Sequence, residues 1–337
     1  MSLPCFLYAA VARERRVWYA SRRDWRKRLA RPVVSIGNVA VGGSGKTPAV
    51  AHVARLLMDM GHRPAILTRG YGRALPSDGV TVVSDGHRML TDLDRAGDEP
   101  LMLARQLPQV PVLVSADRHM AGLLAERRLG CTVHVLDDGF QHFQLERDVD
   151  LVMVSPEDAE KPLTLPSGRL REPLDVVRGA SAVIVTTADH DQAAAVASAI
   201  GAPTFFRLRR YLDRPRLVEP AGRVVSPAAG TRVLAVGGLA RPERFFVDLA
   251  QEGWTVADHL VFPDHHRYTP ADVATIVSTM RAARAVMVMT TEKDLVRLLP
   301  LRPLPVPVAW VPMHVSIEPA AEFKAWLGQK VAMKTAQ

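Results

Sequence analysis

Two cysteines in 337 residues, Cys5 and Cys131, are too few and too far apart for a disulfide framework or a thiolate metal centre, so a reducing compartment is the default. Long apolar runs are missing as well. The longest near the N-terminus, Leu3 to Ala12, has ten residues, about half of the roughly 20 needed to span a bilayer. A secretory signal is not expected, because no positive charge precedes that run and no cleavage-site pattern separates it from the arginines that follow. Internal repeats and low-complexity tracts are absent. Acidic residues are in deficit, 35 against 43 Lys and Arg, and the deficit is local: residues 1–31 hold nine Lys/Arg against Glu14 and Asp24, nearly all of the net +8. What is present, 48% hydrophobic residues, suffices for two α/β domains or one large one.

The stretch Pro32-Val-Val-Ser-Ile-Gly-Asn-Val-Ala-Val-Gly-Gly-Ser-Gly-Lys46-Thr47-Pro48 reads as a buried strand, a glycine-rich turn and a helix start. Gly42, Gly43 and Gly45 let backbone N–H groups turn onto an anion, Lys46 reaches the β- and γ-phosphates, and the Thr47 hydroxyl is placed for Mg²⁺. The positive end of the next helix faces the same phosphates. Ala40 stands where the Walker pattern has its first glycine. From Lys46, Val50, Val53, Leu57 and Met60 recur at helical spacing, and Gly61 is a stop. Ala40, Val41, Gly42, Gly43, Ser44, Gly45, Lys46 and Thr47 are thus the expected nucleotide-binding residues.

Residues 4–30 are expected to form one helix with Leu7, Val11, Trp18, Trp25 and Leu29 along a stripe and Arg15, Arg16, Arg22, Arg23 and Arg26 elsewhere. Three readings fit this segment: a membrane surface, packing on its own domain, or a nucleic-acid contact. Pro64–Arg69 is the next strand, ending in Gly70-Tyr71-Gly-Arg73. Gly97-Asp98-Glu99-Pro100 opens a helix, and two carboxylates there are first of all an N-terminal cap and dipole partner. The apolar strand after Cys131 ends in Asp137-Asp138-Gly139, where P-loop enzymes hold Mg²⁺. An irregular charged loop, Pro166–Pro173, lies between the strands Val149–Val154 and Ala182–Thr186. Phe205–Val218 reads as extended chain, expected as a paired-strand connection, leading to a second unit with strands at Val233–Val236, Val286–Met289 and Pro307–Trp310. His265 and His266 have no further ligand at metal spacing. Thr290-Thr-Glu-Lys293-Asp294 has the wrong spacing for a guanine reader, which favours ATP over GTP.

This pattern predicts a P-loop NTPase-like, doubly wound, mainly parallel sheet with a second smaller α/β domain and an N-terminal amphipathic helix. The expected divisions are 1–31 for the helix, 32–204 for the kinase core, 205–218 for an extended connection and 219–330 for the C-terminal α/β domain.

Together, Gly37-Asn38 with Val41–Pro48, Thr68–Arg73, Gly97–Pro100, Leu136–His142, Gly168–Pro173, Asp264–His266 and Thr290–Asp294 resemble, in order and over nearly the whole chain, the tetraacyldisaccharide 4'-kinases of lipid A synthesis. The resemblance implies ATP- and Mg²⁺-dependent phosphorylation of the 4'-hydroxyl of a tetraacylated glucosamine disaccharide 1-phosphate, giving lipid IVA. It also implies a peripheral enzyme on the cytoplasmic face of a Gram-negative inner membrane, with a glycolipid substrate, an anionic membrane surface as partner, and neither nucleic acid nor an obligate protein partner. Through it, Asp98, His142 and Lys46 become the catalytic candidates, with His142 orienting Asp98. Thr47, Asp137, Asp138, Glu99 and Glu172 become candidate Mg²⁺ ligands, and Arg69, Tyr71, Arg73, Gln141, Arg171, His265 and His266 candidate substrate contacts. A ParA/MinD-like membrane ATPase switch is the alternative, against which stands Val41 in place of that family's extra loop lysine. A non-catalytic nucleotide-binding module is disfavoured by the surplus of loop carboxylates and histidines.

Overall fold

Continuous apolar runs suit strands covered on both faces, the condition of parallel sheets. In the computed structural model, which describes residues 3–42, 45–219, 222–226 and 230–335, eight strands precede residue 213. They are β1 (Val33–Asn38), β2 (Pro64–Thr68), β3 (Thr81–Ser84), β4 (Val112–Val114), β5 (Val133–Asp137), β6 (Val149–Val154), β7 (Ala182–Val185) and β8 (Phe205–Leu212). After them come β9 (Arg216–Leu217), β10 (Arg232–Gly237), β11 (Thr255–Val261), β12 (Met287–Thr291), β13 (Val308–Val311) and β14 (Met313–Glu318). Among the described residues these strands make two sheets. The first has the order β14-β8-β7-β6-β1-β5-β2-β4-β3, parallel from β8 to β4, with β3 antiparallel at the edge. The second, β11-β10-β12-β13-β9, is parallel except at the short β9. The expected fold class is the one observed.

All six residues of β1 are buried in mid-sheet. The chain leaves β1 toward β2 on one side, whereas the neighbouring β6 leads to β7 on the other. The carboxyl ends of β1 and β6 therefore flank a topological switch point, where open α/β sheets bind their ligands.

The chain divides into two compact units, one of Met1–Ala96, Leu103–Arg210 and Val315–Gln337, the other of Gly97–Met102 and Tyr211–His314. This differs from the contiguous division 32–204, 205–218 and 219–330. Residues 205–212 form a strand that pairs with β7, with Phe206 and Leu208 buried, so most of the extended connection is sheet. Residues 315–318 return to that sheet beside β8. Gly97–Met102 goes with the second unit, whose cations surround Asp98.

The N-terminal helix, Leu3–Ser21, is shorter than the expected 4–30. After it the chain makes a tight turn at Arg23–Trp25 and then pairs Lys27 with Leu145 in a β-bridge. Leu29 follows into the core, 2% exposed, in space that a side chain on Gly122 would occupy. A helix continued to residue 30 would lose both the bridge and that burial. The docked face carries Cys5 and Ala9, and Cys5 and Thr164 exchange hydrogen bonds. Arg16 fixes the helix more firmly: its fork makes two bonds to Glu172, at 2.7 and 2.9 Å, and its guanidinium lies over the Phe140 ring. Leu3, Phe6, Leu7 and Val11 all remain more than half exposed. Among the described residues no helix is long and apolar enough to cross a membrane.

Candidate active site

The first unit gathers a phosphate-binding loop and its counter-charges. Residues 39–41 pair with 169–171 in an antiparallel bridge, through Arg171 N–H to Val39 O at 2.6 Å and Val41 N–H to Arg169 O at 2.8 Å. Among the described residues, the non-glycines with positive φ are Asp138, His265 and Arg284, so Ala40 needs none of the conformational freedom of the glycine it replaces. Gly43 and Ser44 lie outside the described residues. Gly45, at φ 83°, caps the helix Lys46–Asp59 in the left-handed region that favours glycine. Lys46 Nζ lies 3.0 Å from Asn38 Oδ1 and 3.6 Å from Asp138 Oδ1. Thr47 is buried beside it, and Asp137, at the end of β5, accepts from the Thr68 hydroxyl. Arg171 donates to Asp138 at 2.9 Å and approaches Gln141, which in turn donates to Asn38 O.

Burial opposes the charge of Asp138, but Lys46 and then Arg171 outweigh it and hold the carboxyl below the usual carboxylate range. Its Oδ1 is buried without a hydrogen bond, an open acceptor of the kind that calls for a ligand or ion. Thr47, Asp137 and Asp138 form a hard-oxygen set suited to Mg²⁺, which binds few protein groups and takes the rest from phosphate and water. Two other expected ligands are committed elsewhere: both oxygens of Glu172 are held by Arg16, and Glu99 belongs to the second unit, where Lys293 meets it at 3.3 Å.

The second unit pairs a buried carboxylate with a half-buried imidazole. Asp98 opens the helix Asp98–Gln106 and is 5% exposed. His265 Nδ1 lies 2.9 Å from Asp98 Oδ2, its ring presented by a backbone at φ 60°. Lys293 and Arg297 approach the same oxygen at 3.9 and 3.4 Å. Burial acts against ionised Asp98, yet the His265 hydrogen bond and then Lys293 depress its pKa overall, while Asp98 raises that of His265. Asp98 thus stays a carboxylate, and the pair titrates as one system.

A family model described as tetraacyldisaccharide-1-P 4'-kinase matches residues 3–332. The chain belongs to that family. It is 37% identical over 320 residues to the tetraacyldisaccharide 4'-kinase of Syntrophus aciditrophicus, covering 88% of this chain and 83% of that one. It is 41% identical over 300 residues to that of Geobacter metallireducens, covering 87% and 86%. The crystal structure of LpxK from Aquifex aeolicus in complex with ATP superposes with a TM-score of 0.77 at 31% identity, covering 97% of this chain and 96% of that one. These similarities favour the kinase over the ParA/MinD-like switch.

Within this 4'-kinase fold, two expected roles change hands. The ring that meets Asp98 is His265, not His142. His142 lies in the first unit, where burial, then Arg118 and Arg147, push its pKa down to about 4, so it is a neutral group among cations. His266 is also taken, by Asp272 at 3.0 Å and by stacking on Phe262. Gln141 and Arg171 stand with the phosphate loop. Arg69 and Tyr71 are exposed, and Arg73 bonds back to Gly70 O.

Three residues were not singled out from the sequence. Lys293 and Arg297 sit in or just after a block that carries the family resemblance and is read otherwise only as a failed guanine reader, with no role given to either side chain. Arg118, the first residue of the helix Arg118–Leu129, is 5% exposed with its Nε unpartnered. Burial and then Arg69 lower its pKa to about 10, while Asp137 and Asp138 oppose them. An arginine one position after a helix N-cap at a strand's carboxyl end is the signal that was available.

Proposed function

We propose that this chain transfers the γ-phosphate of ATP to the 4'-hydroxyl of tetraacyldisaccharide 1-phosphate, forming lipid IVA in lipid A biosynthesis. The Asp98–His265 pair, with its carboxylate buried, carries this reading beyond nucleotide binding, because an ATPase switch has no alcohol to deprotonate. Lys46, the N-terminus of its helix and Arg171 neutralise the phosphates. Thr47, Asp137 and Asp138 hold Mg²⁺, which when bound supplies charge neutralisation at the phosphate oxygens. Asp98 takes the hydroxyl proton, with His265 orienting the carboxylate. Arg69, Tyr71, Arg73 and Arg118 contact the sugar and its phosphate. Purified protein with labelled ATP, Mg²⁺ and the disaccharide 1-phosphate in mixed micelles is expected to yield a labelled bisphosphorylated lipid. Acceptor-independent release of phosphate with no labelled lipid would overturn the reading.

Asp138→Asn is expected to raise the Mg²⁺ concentration for half-maximal turnover by at least about tenfold, the lower end of what an outer-shell partner is worth. An unchanged Mg²⁺ titration would remove Asp138 from the metal site.

The same reading makes the protein peripheral at the cytoplasmic face of the inner membrane, held by the N-terminal helix. Support comes from the exposed Leu3, Phe6, Leu7 and Val11 beside a segment with nine basic residues. Deleting residues 1–31 would remove the buried Leu29, so the test is Phe6→Asp with Val11→Asp. Each apolar side chain is worth about 1.5–3 kcal/mol when buried, so sedimentation with anionic vesicles is expected to weaken more than about tenfold. Added salt is expected to weaken it further. Binding equal to the unsubstituted protein would exclude the helix as the anchor.

A further inference from the structure

The block Thr290-Thr-Glu-Lys-Asp294 does not read a nucleotide by its spacing, yet it is densely bonded within the second unit. Asp294 is fully buried. Its carboxylate accepts from the Gly238 N–H at 3.0 Å, the Tyr268 hydroxyl at 2.8 Å and the Thr291 hydroxyl at 2.7 Å, and Arg297 Nη2 lies 3.5 Å away. Three hydrogen bonds and an adjacent guanidinium thus hold this buried carboxylate in place of water. A Cβ at position 238 would lie 2.9 Å from Asp294 Oδ1 and 3.1 Å from Arg297 Nη1, so any side chain there would displace the pair.

Arg297, 3% exposed, uses its planar fork in several directions. It donates to Gly238 O at 3.1 Å, to His266 O at 3.3 Å and to Lys293 O at 3.2 Å. The His266 carbonyl belongs to the loop that also carries His265. The Arg297 Nε lies 3.4 Å from Asp98 Oδ2. A single guanidinium therefore touches the histidine loop, the β10 turn and the carboxylate, which an ammonium on a flexible stem cannot do.

We infer that Arg297, clamped by Asp294, is a positioning residue that holds the His265 loop and the Asp98 carboxylate in register with each other. The inference rests on the reading of Asp98 as the base. The charged groups around Asp98 are Lys293 and Arg297 from the helix Glu292–Leu298, His265 and Asp264 from the loop, and Glu99 from its own helix. Losing the Arg297 cation raises the proton affinity of Asp98, so the acid limb of the pH–rate profile moves to higher pH.

The test uses the full chain with labelled ATP and lipid acceptor. Arg297→Gln is expected to lower kcat by about 10–100-fold through misplacement of the base, leave KM for ATP unchanged, and move the acid limb up by about one pH unit. Arg297→Lys keeps the charge and is expected to return the limb toward its original pH without restoring kcat. A folded Arg297→Gln protein with the original limb overturns the inference. Should that variant not fold, Tyr268→Phe, which removes one bond from Asp294, decides: kcat is expected to fall by about 3–10-fold with KM for ATP constant, and an unchanged kcat overturns the inference. Asp98→Asn separates the two readings. Near-normal turnover in that variant defeats the base assignment itself, whereas an inactive Asp98→Asn beside an unshifted Arg297→Gln defeats only the positioning role.

Discussion

Lys46→Ala is expected to fold normally and to lose about 10²–10³-fold in kcat, with KM for ATP raised as well. Its ammonium is the cation that does most to keep Asp138 ionised against burial, 3.6 Å from that carboxylate, and it bonds Asn38 at the carboxyl end of β1. In phosphoryl transfer the protein contributes positioning and charge neutralisation, and removing one preorganised donor to developing charge costs that order of rate. Stability is expected to change little, because Arg171 still donates to Asp138 at 2.9 Å when the ammonium is removed. Lys46→Arg should not rescue, since a planar fork does not replace a point charge reaching from a tight loop. Unfolding midpoints and initial rates check both halves; a folded alanine variant with near-normal turnover would dismiss the loop as the phosphate site.

Much of the first unit was legible because its signals are local. The strand β1, the turn and the helix Lys46–Asp59 lie consecutively, and the change from a continuous apolar run to 3.6-residue spacing marks the junction. The acidic end of β5 is equally local. Ala40 departs from the Walker pattern without consequence because that backbone is engaged in a bridge to Leu170 rather than in a left-handed turn.

What escaped the sequence depends on long-range placement. Asp98 and His265 are 167 residues apart, and nothing in the intervening spacing tells which histidine closes on which carboxylate. The resemblance points to His142, beyond the acidic strand end, as the partner, and only the folded chain brings His265 there instead. The resemblance makes Glu172 a candidate metal ligand; only the folded chain brings Arg16, 156 residues earlier, onto both its oxygens. The N-terminal helix stops at Ser21 because tertiary burial of Leu29 overrides a periodic pattern that runs on to residue 30. The second unit borrows Gly97–Met102 from the middle of the first, a division that no composition shift announces.

Asp98→Asn is expected to lower kcat by about 10²–10⁴-fold, the usual contribution of a general base, with KM for ATP little changed. Asparagine keeps the shape and can still accept a bond through its amide oxygen, so the helix start survives. It cannot take the hydroxyl proton, and it replaces a carboxylate beside His265, Lys293 and Arg297 with a neutral group, leaving those cations less compensated. The His265 pKa, raised chiefly by its hydrogen bond to Asp98, is expected to fall in the variant. That gives a second readout independent of turnover: the imidazole resonance of His265 should titrate at lower pH. The pH–rate profile supplies the third, since the acid limb of the unsubstituted enzyme belongs to the Asp98–His265 pair and should be lost from the residual rate. Full turnover in Asp98→Asn, or a loss restored by raising Mg²⁺, would return Asp98 to a structural or metal role. A loss that Mg²⁺ does not restore, together with the displaced His265 titration, is what proton transfer to this carboxylate requires.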